Sequence, residues 1–492
     1  MQIISIRNYS AKTGAVLSLS ALLLLTGCKS DHARDARFYR DILEQTPAPS
    51  QTFDAQDQTT PLKLVNALAM VTRNNEQLAM EGEDYVQAIL DKKRAAANFL
   101  PTVSFSPSYS RNEGLSGPRR ERNDDYRDRL NLPLGLTWNL FNGYRDLAVY
   151  YREAATIRQR EALLRDLQSS LMLEVVRAFY QTLRAEQSIK VLESSLQVQE
   201  ERVRDIRARR DAGIARPLDV AQTEAVASEA RVALISAQQT ARNARQVLAL
   251  LLDVPVGNRP LLDDLITELP QDIDSSIWQT SALQLRQDLI AKAAAVEAAR
   301  HQVKNAFGQY YPSVTLDLEY LLTINRVESE TGWNAVLRAH LPIFSAGRIE
   351  AEVRIAWSQL RQAELDYRYT SRLIQQQTMI SQEDFLASGR RLSELERKLD
   401  AARIAYEQAD SSYNVGLATN LERLDAQDRQ LLTELEIANE RYVLREAYLT
   451  LLRSAGMLDG MMLAQRIPAS PETAPAPAES AAPLEVSMHQ PQ

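Results

Sequence analysis

The chain has 492 residues, room for two or more ordinary domains, and a formal net charge of -7 that argues against a general nucleic-acid binder. A single cysteine excludes an intramolecular disulfide, and with only four histidines it argues against a structural metal site. Glycine is scarce, and long segments rich in Ala, Leu, Arg, Glu and Gln predict extended helices.

In chain order, residues 1–27 read as an export signal, with Arg7 and Lys12 as a basic start and an apolar stretch over 16–25 that is too short to cross a bilayer. Leu25-Thr26-Gly27-Cys28 resembles a bacterial lipobox, which implies a lipoprotein whose Cys28 carries the palmitate-type acyl chains. The alternative is an ordinary signal peptide with an incidental cysteine. Lys29 follows where an aspartate would mean inner-membrane retention, so the resemblance implies the outer membrane. Residues 28–61 are polar, contain Pro47, Pro49 and Pro61, and predict an extended, lipid-anchored lead-in.

A first repeat spans 62–252. Leu64, Val65, Leu68, Ala69, Val71 and Thr72 predict a helix over 62–98, ended before Pro101. Val103, Phe105, Pro107 and Tyr109 then alternate with serines and threonine as one strand. A charged loop over 111–129 follows. Next comes a second strand, in which Leu130, Leu132, Leu134, Leu136, Trp138 and Leu140 alternate with small or polar residues, completing a hairpin over 102–141. At Phe141-Asn142-Gly143 the period changes, and a helix of 146–211 begins, about 100 Å long at 1.5 Å per residue. Gly213 and Pro217 break it before a return helix over 218–252.

Residues 253–280, with Pro255, Gly257, Pro260 and Pro270, form a linker. A second repeat over 281–456 repeats the plan: a helix, a hairpin over 313–344, a joint at Phe344 to Gly347, a long helix to 413 and a return helix. Residues 457–492 are Pro, Ala and Glu rich and predict a disordered tail. The fold class is therefore mainly α with a small β part, internally duplicated, with coiled-coil-like helical pairing.

Strands of about ten residues suit a tilted membrane β-strand with one face in lipid and one in a polar lumen. A soluble sheet packed on helices is the alternative, but nothing else in the chain would cover the apolar faces. Four strands do not close a barrel, and an open edge in lipid leaves backbone groups unpaired. Membrane placement therefore requires an oligomer. By strand parity Asp317, Glu319, Arg338 and His340 share the lumen face, where they tune selectivity or simply keep a pore wet.

The duplication, the Phe141–Gly143 and Phe344–Gly347 joints, and the glycine turns followed by Leu218-Asp219-Val220 and Leu424-Asp425-Ala426-Gln427 together resemble the TolC family of outer-membrane efflux ducts, lipoprotein subclass, over roughly 62–455. That resemblance implies a homotrimer with a shared twelve-stranded barrel, a helical tube across the periplasm and an equatorial belt built from the linker and termini. It also implies docking of the tips on a membrane-fusion adaptor and an inner-membrane transporter. The tips are Gly213-Ile214-Ala215 and Gly416-Leu417-Ala418. Asp410 falls where the family places an aspartate of the closed periplasmic iris; otherwise it is a solvated helix-surface acid. The implied function is passive exit of small molecules or drugs. Type I protein secretion is an alternative on the same fold, and a periplasmic coiled-coil scaffold lipoprotein is one of a different class. No phosphate loop, nucleophile elbow or metal-ligand spacing is present, so neither an enzyme nor a cofactor is expected.

Overall fold

The structure, a computed structural model, describes residues 32–44, 60–111, 128–266, 269–270, 274–325 and 329–458. The expected export signal, Cys28, residues 112–127 of the expected first loop and the expected tail from 459 onward lie outside the described residues.

The described chain begins with helix α1 (His32–Glu44), where an extended lead-in was expected. The reason is a short apolar stripe, Ala36, Tyr39, Ile42 and Leu43, which the polar average of the segment conceals. Tyr39 and Leu43 are buried, and a Cβ on Gly82 would lie 2.5 Å from the Tyr39 ring, so the bare backbone at Gly82 lets α1 dock. Strand β1 (Leu62–Lys63) follows, then α2 (Leu64–Asn74) and α3 (Glu76–Ala97) in place of one continuous helix. Asn75 makes the break: its backbone is extended and its Oδ1 accepts from the amides of Gln77 and Leu78, capping α3.

The expected first strand is two, β2 (Thr102–Phe105) and β3 (Ser108–Arg111), divided at Ser106-Pro107, where proline has no N–H to give the ladder. Both pair antiparallel with β4 (Asp128–Asn142). Helices α4 (Arg145–Asp211) and α5 (Pro217–Leu252) form the first hairpin of long helices. In the linker, β5 (Leu261–Leu262) pairs parallel with β1. The linker gives way to helix at Ser275, earlier than 281, with α6 (Ser275–Leu285) and α7 (Gln287–Phe307) meeting at the buried Arg286. Strands β6 (Ser313–Asn325) and β7 (Ser329–His340) complete the sheet, and α8 (Arg348–Asn414) and α9 (Asn420–Ser454) form the second hairpin of helices. Strand β7 stops at His340, short of 344, because Leu341-Pro342 leaves the ladder. Met457 and Leu458 are buried in the core, so the tail starts later than 457.

The sheet order is β2-β4-β6-β7, with β3 also on β4. The duplication is exact in register. Helix α2 and α6, the breaks Asn75 and Arg286, and the strand starts Thr102 and Ser313 are each 211 positions apart. After the hairpins the shift is 203: Arg145 and Arg348, Gly213 and Gly416, Asp253 and Gly456. Both long helices have 67 residues. The main core lies partway along them, where Leu171 to Leu183 of α4, Phe385 of α8 and Tyr448 to Leu452 of α9 meet α1, α2, the end of α5 and Val256, Leu265 and Ile266 of the linker. This core lies where an equatorial belt was expected. Asp263 pins the linker to it, accepting from Tyr180 Oη at 3.1 Å and pairing with Arg445.

Candidate functional site

The features that bear on function sit at the two ends of the helices. At the sheet end, Leu130, Leu132, Leu134, Leu136 and Trp138 of β4 share a face with Leu316, Leu318, Tyr320 and Leu322 of β6 and Trp333 and Leu337 of β7. Among the described residues no helix packs extensively across this face. No described helix is long and apolar enough to cross a membrane. The opposite face is mainly polar, with Leu321 and Val336 among its residues. Asp317 Oδ1 accepts from Thr137 Oγ1 at 3.0 Å, its Oδ2 lies 3.4 Å from Arg338 Nη1, and Thr323 Oγ1 donates to Asn131 Oδ1 at 3.1 Å. Asp317 and Arg338 are thus brought together. Glu319 and His340 share their face at other levels, opposite Asn334 and Ser313. Among the described residues, the outer edges, β2 with β3 on one side and β7 on the other, have no further strand.

Both joints turn from strand to helix through two successive left-handed residues: Gly143-Tyr144 (φ +60° and +61°) and Ala346-Gly347 (φ +50° and +81°). Gly143 therefore corresponds to Ala346, and the two joint glycines are not equivalent positions. A β-bulge between Asn139 and Phe141 accompanies the first turn. A Cβ at Gly143 would stand 2.2 Å from the Gly308 carbonyl oxygen, whereas one at Gly347 would meet nothing within 4 Å. Phe141 packs edge-on against Tyr144, while Phe344 is exposed beyond β7.

At the far end the two tips are built alike. Gly213 and Gly416 both have positive φ, and Ile214 and Ala215 donate to the Arg209 carbonyl as Leu417 and Ala418 do to that of Ser412. Each return helix is then capped three residues in: Arg216 N donates to Asp219, and Thr419 N to Glu422. Ile214, Leu218, Val415, Leu417 and Leu421 remain exposed.

Asp410 is not an isolated acid. Its Oδ1 lies 3.8 Å from Arg202 Nη2 of α4 and 3.9 Å from Arg423 Nη1 of α9, and its Oδ2 accepts from Asn414. Both guanidiniums are well buried. The Arg202 pKa is pushed down by burial and by Arg423, that of Arg423 by burial, and Asp410 opposes both shifts. Arg202 also bonds to Tyr406 Oη, and Arg423 sits 4.1 Å from the Tyr413 ring centroid. Asn420 joins the tips, accepting from Arg423 Nη2 at 2.8 Å and donating to Thr223 Oγ1 at 3.2 Å. Sequence reading found Asp410 and missed its partners. No sequence signal marked them, because Arg202 and Arg423 lie on helices other than that of Asp410. Above this cluster a cavity of about 480 Å³ opens between α4 and α9, lined by Lys190, Ser194, Val198, Tyr406, Gln430 and Glu434 among others. Among the described residues no cluster of His, Cys, Asp and Glu is arranged to hold a metal.

Comparison with known proteins fits this geometry. The chain is 27% identical over 420 residues to the outer membrane efflux protein BepC of Brucella suis biovar 1, covering 82% of this chain and 88% of that one. It is 23% identical to the proteases secretion protein PrtF of Dickeya chrysanthemi, covering 83% and 92%. Its fold matches the CmeC outer membrane channel of Campylobacter jejuni with a TM-score of 0.73 at 16% identity, over 84% of this chain and 91% of that one. The profile described as "Outer membrane efflux protein" matches residues 53–253 and 278–457. This duplicated chain, with its small sheet and two long helical hairpins, belongs to the outer membrane efflux protein family.

Proposed function

We propose that the protein is the outer-membrane exit duct of a tripartite efflux pump, conducting small molecules passively from an inner-membrane transporter and its adaptor to the outside. The observation that carries this reading is the sheet: one uncovered apolar face, one mainly polar face and two open edges, set on helices about 100 Å long. With β2 and β3 counted as one interrupted strand, three copies joined edge to edge supply twelve strands and leave no unpaired edge in lipid. Asp317, Glu319, Arg338 and His340 then line the lumen, and the long helices cross the periplasm. Acyl chains on Cys28 anchor the N-terminus in the outer membrane. The exposed tip residues Ile214 and Leu417 with their glycine turns meet the adaptor. Asp410 holds the resting tip closed by tying α8 to α4 and α9. The duct carries out no chemistry, so its energy comes from the transporter.

A second reading, passage of secreted polypeptides, is favoured by the similarity to the Dickeya secretion protein. The two separate by cargo: deletion of the gene raises drug sensitivity in the first and blocks export of a protein in the second. The duct itself is tested by light scattering of the detergent-extracted particle and by conductance in a planar bilayer. A trimer with discrete channels is expected. A monomer without conductance would leave the scaffold reading instead.

A further inference from the structure

The exact register of the duplication shows which helix face waits for another copy. Helix α9 packs on α8 and also lies along α4. There Arg453 Nη2 is 3.3 Å from Asp166 Oδ1 and 2.7 Å from Ser170 Oγ, and Glu446 pairs with Arg177 and Arg184 at 3.5 and 3.2 Å. This seam inside the chain is ionic. Its counterpart would be α5 along α8, because α5 and α4 repeat α9 and α8 at the shift of 203. Within one chain α5 packs on α4 but lays no comparable face on α8.

The residues at the counterpart positions change character. Arg453 becomes Leu250, Asp166 becomes Tyr369, Ser170 becomes Leu373 and Arg177 becomes Ile380. Val232, Ile235, Val247 and Leu250 fall on one side of α5, since their spacings keep them within about 60° of a common line at 3.6 residues per turn. All are exposed, Leu250 at 81%. Tyr369, Leu373 and Ile380 share a face of α8 and are exposed as well, Tyr369 at 58%. A monomer gains nothing from two such stripes in water.

We propose that the end of the α5 stripe, Val247 and Leu250, seats on Tyr369, Leu373 and Ile380 of a second copy's α8, forming an apolar seam between copies where the matching seam within each copy is ionic. The two stripes are different surfaces, so the contact is head-to-tail, the kind that builds a ring when its rotation closes, as the duct reading requires. This inference rests on the duct reading, which requires copies around one axis, and adds the residues and chemistry of their contact.

The test uses the full-length lipoprotein in detergent, with Leu250→Glu, Tyr369→Lys and the double variant. Both positions are exposed within a chain, so the circular dichroism of each variant should match wild type. Each single variant should raise the monomer fraction at fixed concentration by about tenfold or more, as expected when a central apolar contact is replaced by an unpaired charge. The double variant should recover the trimer at low salt and lose it in molar salt, while wild type is indifferent to salt. A wild-type trimer unmoved by either single substitution overturns the seam alone, and so does loss of adaptor capture with the trimer intact. A wild-type monomer overturns the seam and the duct reading together.

Discussion

Removing the Asp410 carboxylate should loosen the tip from within a protomer. In Asp410→Ala the guanidiniums of Arg202 and Arg423, whose side chains are 12% and 5% exposed, lose an anion 3.8 and 3.9 Å away. Breaking a fully buried pair costs about 3–5 kcal/mol, and a surface pair is worth about 0–1. Asp410 itself is 35% exposed, so an intermediate value of about 2 kcal/mol applies. Because every 1.4 kcal/mol is tenfold, local opening should become about thirtyfold more frequent. Hydrogen–deuterium exchange of the protein in lipid discs reads this directly. Amides in 202–216 and 410–424 should exchange faster, those in the main core around Leu171 to Leu183 should not, and single-channel conductance should rise. Unchanged exchange at the tips, or acceleration spread evenly over the helices, would refute the view that Asp410 ties α8 to α4 and α9.

Gly143→Ala should be far more damaging than Gly347→Ala. Both place a side chain at positive φ, at about 1 kcal/mol each, but only the first drives a Cβ against the Gly308 carbonyl, so its thermal midpoint should fall well below that of Gly347→Ala. Equal midpoints would count against backbone contact at the first joint. His301 stacks on Tyr151 with ring centroids 5.5 Å apart, and burial foremost, then Lys304, pushes its pKa below the ordinary value, with Glu297 opposing and Arg158 assisting. A depressed histidine pKa stabilises above the unfolded value of about 6.5 and loses that contribution as pH falls. The thermal midpoint should therefore drop more steeply below pH about 6.5 in wild type than in His301→Gln. Tyr39→Ala should cost about 3 kcal/mol in the docking of α1, seen as faster tryptic cleavage after Arg37 and Arg40 in the folded protein.

The long elements were legible because each signal was long and redundant. Sixty-seven residues of helical pattern ending at a glycine leave little room for another assignment, and alternation in β4 and β6 is unbroken over many positions. What stayed hidden depended on single contacts. The α1 stripe amounts to a few apolar residues that become a helix face only because Gly82 makes room for Tyr39. The break at Asn75 is one side chain capping two amides, and Ser106-Pro107 interrupts a strand whose alternation of side chains is otherwise continuous. At the tip, Asp410 was singled out only through the family resemblance. Arg202 and Arg423, which decide what that acid does, lie on other helices and come together only in three dimensions.

The equal length of the two helical hairpins makes the chain a gauge. Because both legs of each hairpin match at the shift of 203, the turns at Gly213 and Gly416 end on one level, and the proposed ring of copies would end in a flat crown. Cutting seven residues from one leg pair alone would leave alternate tips about 10 Å short, a castellated rim that no continuous collar fits. The same cut in both pairs would keep every seam in phase and shorten the span as a whole. The distance such a tube bridges is therefore a quantity that changes in helical steps, and only in both halves at once.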